Sequence, residues 1–304
     1  MKDLHQIKTI VLTAFAPIVW GSTYIVTTEL LPAESPLLAA TIRALPAGLL
    51  LVFLGRSLPS SAWLARLGVL GFLNIGLFFY CLFFAATYLP GGMAAMVMSI
   101  QPVVVILLSW WLLGAKVSAL QLIASVVGIF GIALLVLNST AKLDLEGLIV
   151  ANVGTLSMAS GVVLTKKWGR PRGMSVLNFT GWQLLFGGLM LFPVAIWLEG
   201  IPHQLTLMNA LGYLYLSVIG AVVGYFLWFR GINQLPTTTV SFLGFLSSVS
   251  ACILGYIVLD QHLSVFQLLG ALLVLVSIVL ASQRSLDKST LSNQTPTIRS
   301  LEGN

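Results

Sequence analysis

One ionised side chain, Arg43, lies deep within an apolar run, residues 36–54. At a helix centre in lipid an arginine costs roughly 2.5–3.5 kcal/mol, so it must face protein or water. Its planar fork of donors suits a carboxylate or another anionic group. It could equally tie backbone carbonyls together, and Pro46, three residues on, is placed to kink the helix and free them. Both roles stay open. Gln101-Pro102 lies at the middle of a second apolar run, where proline frees the carbonyl of Met98. A broken helix at that depth is tolerated where it lines a cavity; a simple packing kink is the other reading. Trp20-Gly21-Ser22-Thr23-Tyr24 occupies the middle of a third run, with Trp20 and Tyr24 on one helix face. Asn74, Trp182 and Tyr225 fall a turn or two from the centres of theirs. Together these side chains would form an aromatic cavity with a few polar handles, suited to a flat or amphipathic organic molecule. Each aromatic taken singly is also explained by core packing.

Other chemistry is missing. There is no Walker sequence, no HExxH and no Cys/His metal spacing, and no acid lies near the middle of a run. His5, His203 and His262 lie in loops or tails. ATP-driven pumping by this chain alone is therefore excluded, and no cofactor, metal or catalytic residue is expected.

The elements that must hold these groups are set by composition. Of 304 residues 58% are hydrophobic and 8% are charged, and the mean hydropathy is +1.00. A soluble globule carries roughly 25% charge, so a soluble enzyme, a nucleic-acid binder and a disordered scaffold are excluded. A membrane β-barrel would show short alternating segments. Here the runs are long: Ser118 to Leu137 contains no charge at all. Runs of about 20 apolar residues read as membrane-crossing helices. Ten are expected, near 9–31, 36–54, 67–89, 91–113, 118–137, 147–165, 175–198, 207–230, 236–259 and 264–282. The first is too long for the core of a signal peptide and lacks a small-residue cleavage site. Residues 283–304, rich in Ser, Thr and Asn, read as a disordered tail.

Cytoplasmic loops retain Lys and Arg. With the N-terminus inside, all 15 basic residues except Lys142 and Arg43 fall on the inner side or in the tails. Glu29, Glu34, Asp144, Glu146, Glu199 and Asp260 lean outward. The net charge of +6 thus describes topology, with both termini cytoplasmic. Trp63, Trp110, Trp111, Trp168, Trp197 and Trp228 fall near span ends, where amphipathic rings anchor. Cys81 and Cys252 read as small packing residues, and Gly220 to Gly224 as a close helix contact.

The chain also repeats itself. Leu113, Ser118, Gln121 and Leu122 correspond to Leu259, Ser264, Gln267 and Leu268 at one constant spacing near half the chain. Five spans per half is an odd number, so the second copy must enter the membrane from the other side. The expected fold is all-α, a polytopic membrane protein with two inverted five-helix repeats, 9–137 and 147–282. Many secondary transporters are built this way, with substrate sites near the midplane.

Taken together, Trp20-Gly21-Ser22, Arg43, Gln101-Pro102 and the Leu-x-x-x-x-Ser-x-x-Gln-Leu pattern closing both halves resemble the drug/metabolite transporter superfamily, in its ten-helix EamA-type branch. Ile42-Arg43-Ala44-Leu45-Pro46-Ala47, Leu89-Pro90-Gly91-Gly92, Thr180-Gly181-Trp182-Gln183 and Leu227-Trp228-Phe229-Arg230-Gly231 look like its Pec-type subgroup, named for blue-pigment efflux. The resemblance implies export of amino acids, their derivatives, amines or pigment-like aromatics by alternating access. Two departures stand out. The glutamates usual in the repeat-closing motifs are Ala115 and Gln261, with Asp260 just before the latter, and the proline of span nine is Ser248.

The expected function is an inner-membrane exporter, a monomer or homodimer in the lipid bilayer, with a small-molecule substrate and no nucleic-acid partner. The expected substrate contacts are Trp20, Tyr24, Arg43, Asn74, Gln101, Trp182 and Tyr225, with Pro46, Pro102 and Asp260 in structural or gating roles. Proton antiport and facilitated efflux both stay open, and Glu29 or Asp260 would have to supply any coupling group. A partner subunit without transport is the first alternative. An intramembrane lipid enzyme is the second, although no paired carboxylates or His/Asp/Ser set converges.

Overall fold

The computed structural model describes residues 2–32, 35–88, 97–136, 144–202, 204–258 and 264–291. Among these all regular structure is helical, because apolar runs without water must satisfy every backbone N–H and C=O internally. The helices are α1 (Lys2–Ile25), α2 (Pro36–Gly55), α3 (Ser61–Gly71), α4 (Leu77–Tyr88), α5 (Gln101–Leu113), α6 (Ala119–Val136) and α7 (Leu145–Trp168). They continue with α8 (Val176–Leu198), α9 (Leu207–Tyr215), α10 (Gly224–Gln234), α11 (Thr237–Leu243), α12 (Leu246–Val258) and α13 (Val265–Leu291). Wide, π-type turns at Phe72–Gly76 and Leu216–Val223 join α3 to α4 and α9 to α10, and a third, Val26–Leu30, extends α1.

Local chemistry explains several boundaries. Pro36 opens α2, where its missing N–H costs nothing. Gly114, at φ 63°, closes α5 in the left-handed conformation that side chains disfavour. Asp144 and Ser175 cap α7 and α8 by accepting from the N–H of Gly147 and Asn178.

Among the described residues seven helical stretches are long and apolar enough to cross a membrane, from Pro36–Gly55 to Val265–Ser282, and Gln101–Leu113 and Ala119–Leu135 are shorter apolar helices. Large apolar side chains such as Phe53, Trp111, Trp197 and Phe266 point outward. In water such a surface would aggregate; in lipid it is the ordinary exterior.

The most extensive packings are α2 on α8 and α6 on α13, followed by α1 on α12 and α4 on α7. Without a hydrophobic drive between helices in lipid, close approach over small residues supplies the contact. A Cβ added at Gly188 would lie 2.7 Å from the Leu45 Cα, and one at Gly48 would strike the Leu185 backbone. On the other pair, a Cβ at Gly131 would lie 2.9 Å from the Gly270 carbonyl oxygen, and one at Gly270 2.6 Å from that of Gly131. Glu199, at the end of α8, accepts from the N–H groups of Leu37 (2.7 Å) and Leu38 (2.8 Å) and so caps α2. The core holds Phe79, Phe179, Tyr225, Trp228, Phe229 and Phe242.

One open alternative is decided and two expectations change. Pro102 lies in the first turn of α5, after a turn at Ser99–Ile100, so the run is broken there and not merely kinked. Trp228 is 1% exposed in the core, not at the interface, because its ring packs against Trp20. The last helix runs to Leu291, past residue 282 where the tail was expected to begin; from Gln283 to Leu291 there is neither glycine nor proline to stop it.

Candidate functional site

Arg43 is 4% exposed, near the middle of α2. Its Nη2 donates to the Gly220 carbonyl and its Nη1 to the Thr23 hydroxyl, each at 3.4 Å. The guanidinium carbon lies 5.1 Å from the centroid of the Phe79 ring and 5.9 Å from that of Tyr225. Aromatic faces attract such a cation by about 0.5–2 kcal/mol each, and they are soft partners that a stronger acceptor can replace.

Trp20 completes the cluster. Its indole N–H donates to the same Gly220 oxygen at 2.9 Å, and its ring lies 4.8 Å from Tyr225 and 5.2 Å from Trp228. Gly220 belongs to the wide turn Leu216–Val223, where i→i+5 bonding takes carbonyls off the ordinary helical ladder. One carbonyl oxygen thus receives two side-chain donors from α1 and α2. A Cβ at Gly224 would lie 2.8 Å from the Trp20 indole nitrogen. The Gly220–Gly224 spacing therefore seats Arg43 and Trp20 side chains as much as it brings helices together. Beside this cluster the Ser22 and Tyr215 hydroxyls share a 2.6 Å hydrogen bond.

A second polar group forms around the wide turn Phe72–Gly76. Asn74 donates from Nδ2 to Gln183 Oε1 (2.9 Å) and Thr165 Oγ1 (3.2 Å), and Ser157 donates to the Leu73 carbonyl at 2.8 Å. Asn74 Oδ1 and Gln183 Nε2 are buried with no hydrogen-bond partner among the described residues. Leaving such a group unsatisfied costs about 1–3 kcal/mol, so this pair retains capacity for a water or a polar ligand atom.

Of the side chains expected to meet, Trp20, Arg43 and Tyr225 do. Asn74 lies in the amide group instead. Gln101, half-buried at the start of α5, keeps a buried Nε2 with no partner among the described residues. Trp182 lies in a separate apolar cluster with Leu67, Leu70 and Phe179, its N–H donating to the Ser57 carbonyl at 3.2 Å. Pro46 is exposed, and the hydrogen bonds described for Arg43 go to Thr23 and Gly220 instead of carbonyls of its own helix. The Tyr24 side chain and Asp260 lie outside the described residues. Phe79, Gln183, Thr165 and the Gly220 carbonyl were not singled out as contacts in the sequence. Only Gln183, a buried amide mid-helix, carried a signal that could have found it.

A multi-pass helical bundle with a buried cation and aromatic rings at its centre has the build of a membrane transporter. Residues 7–137 and 145–283 both match the EamA-like transporter family, and the chain belongs to it. The protein PecM of Dickeya dadantii (strain 3937) is 52% identical over 272 residues, 90% of this chain and 91% of that one, in keeping with the Pec-type resemblance. A protein named a probable amino-acid metabolite efflux pump, from Escherichia coli (strain K12), is 25% identical over 88% of this chain and 92% of its own. One solved crystal structure shares the fold with a TM-score of 0.77 at 15% identity, covering 92% of this chain and 99% of that one.

Proposed function

We propose that the chain is an inner-membrane secondary exporter of small organic metabolites, with Arg43 at the centre of its substrate path. The observation that carries this is a buried guanidinium at mid-helix whose contacts include two long hydrogen bonds and two aromatic faces. A substrate carboxylate or similar anion binds a guanidinium more strongly than a carbonyl, a hydroxyl or a ring face does. Trp20, Phe79 and Tyr225 would then receive an apolar or aromatic body. Amino acids, their derivatives and pigment-like aromatics have that chemistry, and the printed names of the relatives point the same way. Nothing in this chemistry calls for an enzyme.

The mechanism belongs to the same proposal: ten crossings, in two inverted five-helix halves that rock about the centre. The family match falls once on each half. Leu89-Pro90 and Leu235-Pro236 recur at the spacing that relates Ser118 to Ser264. The wide turns Phe72–Gly76 and Leu216–Val223 fall at corresponding places, as do the breaks at Ser99–Ile100 and Gly244–Phe245. Interrupted helices near the midplane are where such transporters bind their cargo. The second break needs no proline, because the Ser247 hydroxyl donates to the Gly244 carbonyl at 2.9 Å. Gly48 meets the Leu185 backbone as Gly188 meets that of Leu45, the paired contact that a two-fold axis within the membrane would produce.

The distribution of Lys and Arg supports cytoplasmic termini. Proton coupling would rest on Glu29, exposed in the turn after α1, or on Asp260. The test is efflux from vesicles loaded with a panel of amino acids, amines and aromatic metabolites. At least one should leave faster through protein than through empty lipid; equal rates across the panel would overturn the proposal.

A further inference from the structure

A separate cavity of about 240 Å³ lies between α5, α7 and the turn that leads into α11, away from the Arg43 cluster. Lys116 and Lys166 line it, with Ser109, Thr237, Thr238 and Thr239, and no acidic side chain is among the lining residues. Basic residues at span ends ordinarily extend outward to the interface. Lys166 instead is half-buried and donates from Nζ to the carbonyls of Asn233 (3.0 Å) and Leu235 (2.9 Å). An ammonium has three protons, so one remains beyond those two bonds.

The hydroxyls are unequally used. Ser109 and Thr237 bond each other at 2.7 Å, and Thr238 accepts from Gln121 at 3.1 Å. Thr239, 1% exposed, keeps a buried Oγ1 with no partner among the described residues. Among the described residues the Thr239 donor has no acceptor and the Lys166 ammonium no carboxylate, and both call for an anion.

We propose that this cavity is an anion site, taking a phosphate or carboxylate group between Lys116, Lys166 and the Thr239 hydroxyl. Its volume admits such a group with a short apolar stem against Ile106 and Leu113, and it is smaller than ordinary drug-sized pockets of about 300–1,000 Å³. The anion comes either from solution or from a phospholipid headgroup, and the chemistry of capture is shared. The site is independent of Arg43 and of transport itself.

The test uses purified full-length protein in phosphatidylcholine nanodiscs, with thermal unfolding followed as sodium phosphate replaces sodium chloride at constant ionic strength. Phosphate should raise Tm by several degrees. Lys166→Gln and the near-isosteric Thr239→Val should each weaken the apparent affinity at least tenfold. If phosphatidylglycerol nanodiscs raise Tm, phosphate adds nothing there, and both variants lose the lipid effect, the headgroup is the source. Should Lys166→Gln fail to fold, Thr239→Val decides alone. No response to phosphate or phosphatidylglycerol, or an equal response in the variants, overturns the site.

Discussion

The Arg43 guanidinium faces the Tyr225 ring across the interior, 5.9 Å from its centroid, although the two residues belong to opposite halves of the chain. Trp20 packs against Tyr225 with its ring tilted by 44° and shares the Gly220 carbonyl with Arg43. The cluster therefore couples α1 and α2 to the wide turn before α10 through groups that a substrate could displace.

Replacing Arg43 with Gln keeps a polar side chain but removes the charge and, being two bonds shorter, the hydrogen bond to Gly220. Hydrogen bonds to charged groups are worth about 1.5–3 kcal/mol, so transport of an anionic substrate should fall roughly ten- to hundredfold. Expression and helix content should stay near normal. Loss of folded protein in membranes, followed by immunoblot and circular dichroism, would assign Arg43 to structure instead.

Trp20→Phe removes the N–H bonded to Gly220 and keeps most of the ring. A net loss of about 1 kcal/mol is expected, read as a lower Tm. Trp20→Ala also opens the aromatic wall and should change the preferred substrate in a metabolite panel; an unchanged preference would place Trp20 in the core alone.

Gly131 and Gly270 allow α6 and α13 to touch backbone to backbone. A valine at either place must push the helices apart, at a cost of about 1–3 kcal/mol for overpacking. Reduced Tm and yield are expected for Gly131→Val and Gly270→Val alike. Gly68, with nothing within 4 Å of an added Cβ, should accept alanine with little change.

Glu199 caps α2 from α8, the pair with the most extensive packing. Glu199→Ala should lower stability by about 1 kcal/mol, as the loss of a charged N-terminal cap does. Glu199→Gln should lose less, since one amide oxygen still accepts. Thermal unfolding at two salt concentrations separates charge from hydrogen bonding.

The helical runs were legible because apolar stretches of this length have one stable form in lipid. Arg43 was legible for the related reason that an isolated charge in such a run needs a cause. What holds it was not: Gly220 contributes a backbone oxygen, and no side chain signals the wide turn that presents it. Trp182 drew attention as an aromatic at mid-depth, yet one residue along a helix turns the face by about 100°. Trp182 therefore packs beside Ser57 and Phe186, and its neighbour Gln183 reaches Asn74. Pro102 left a broken helix and a packing kink open, because its run is apolar throughout, and only the turn at Ser99–Ile100 decides for the break.

Export by this chain requires a central path near Arg43 that opens to each side in turn. Thr23, which accepts from the Arg43 Nη1, is the place to measure it. Thr23→Cys in a Cys81→Ser, Cys252→Ser background, in sided proteoliposomes, should react with a membrane-impermeant maleimide added from either side. A transported substrate should slow both reactions. No labelling from either side, or labelling from one side only under every substrate and gradient condition, would contradict it.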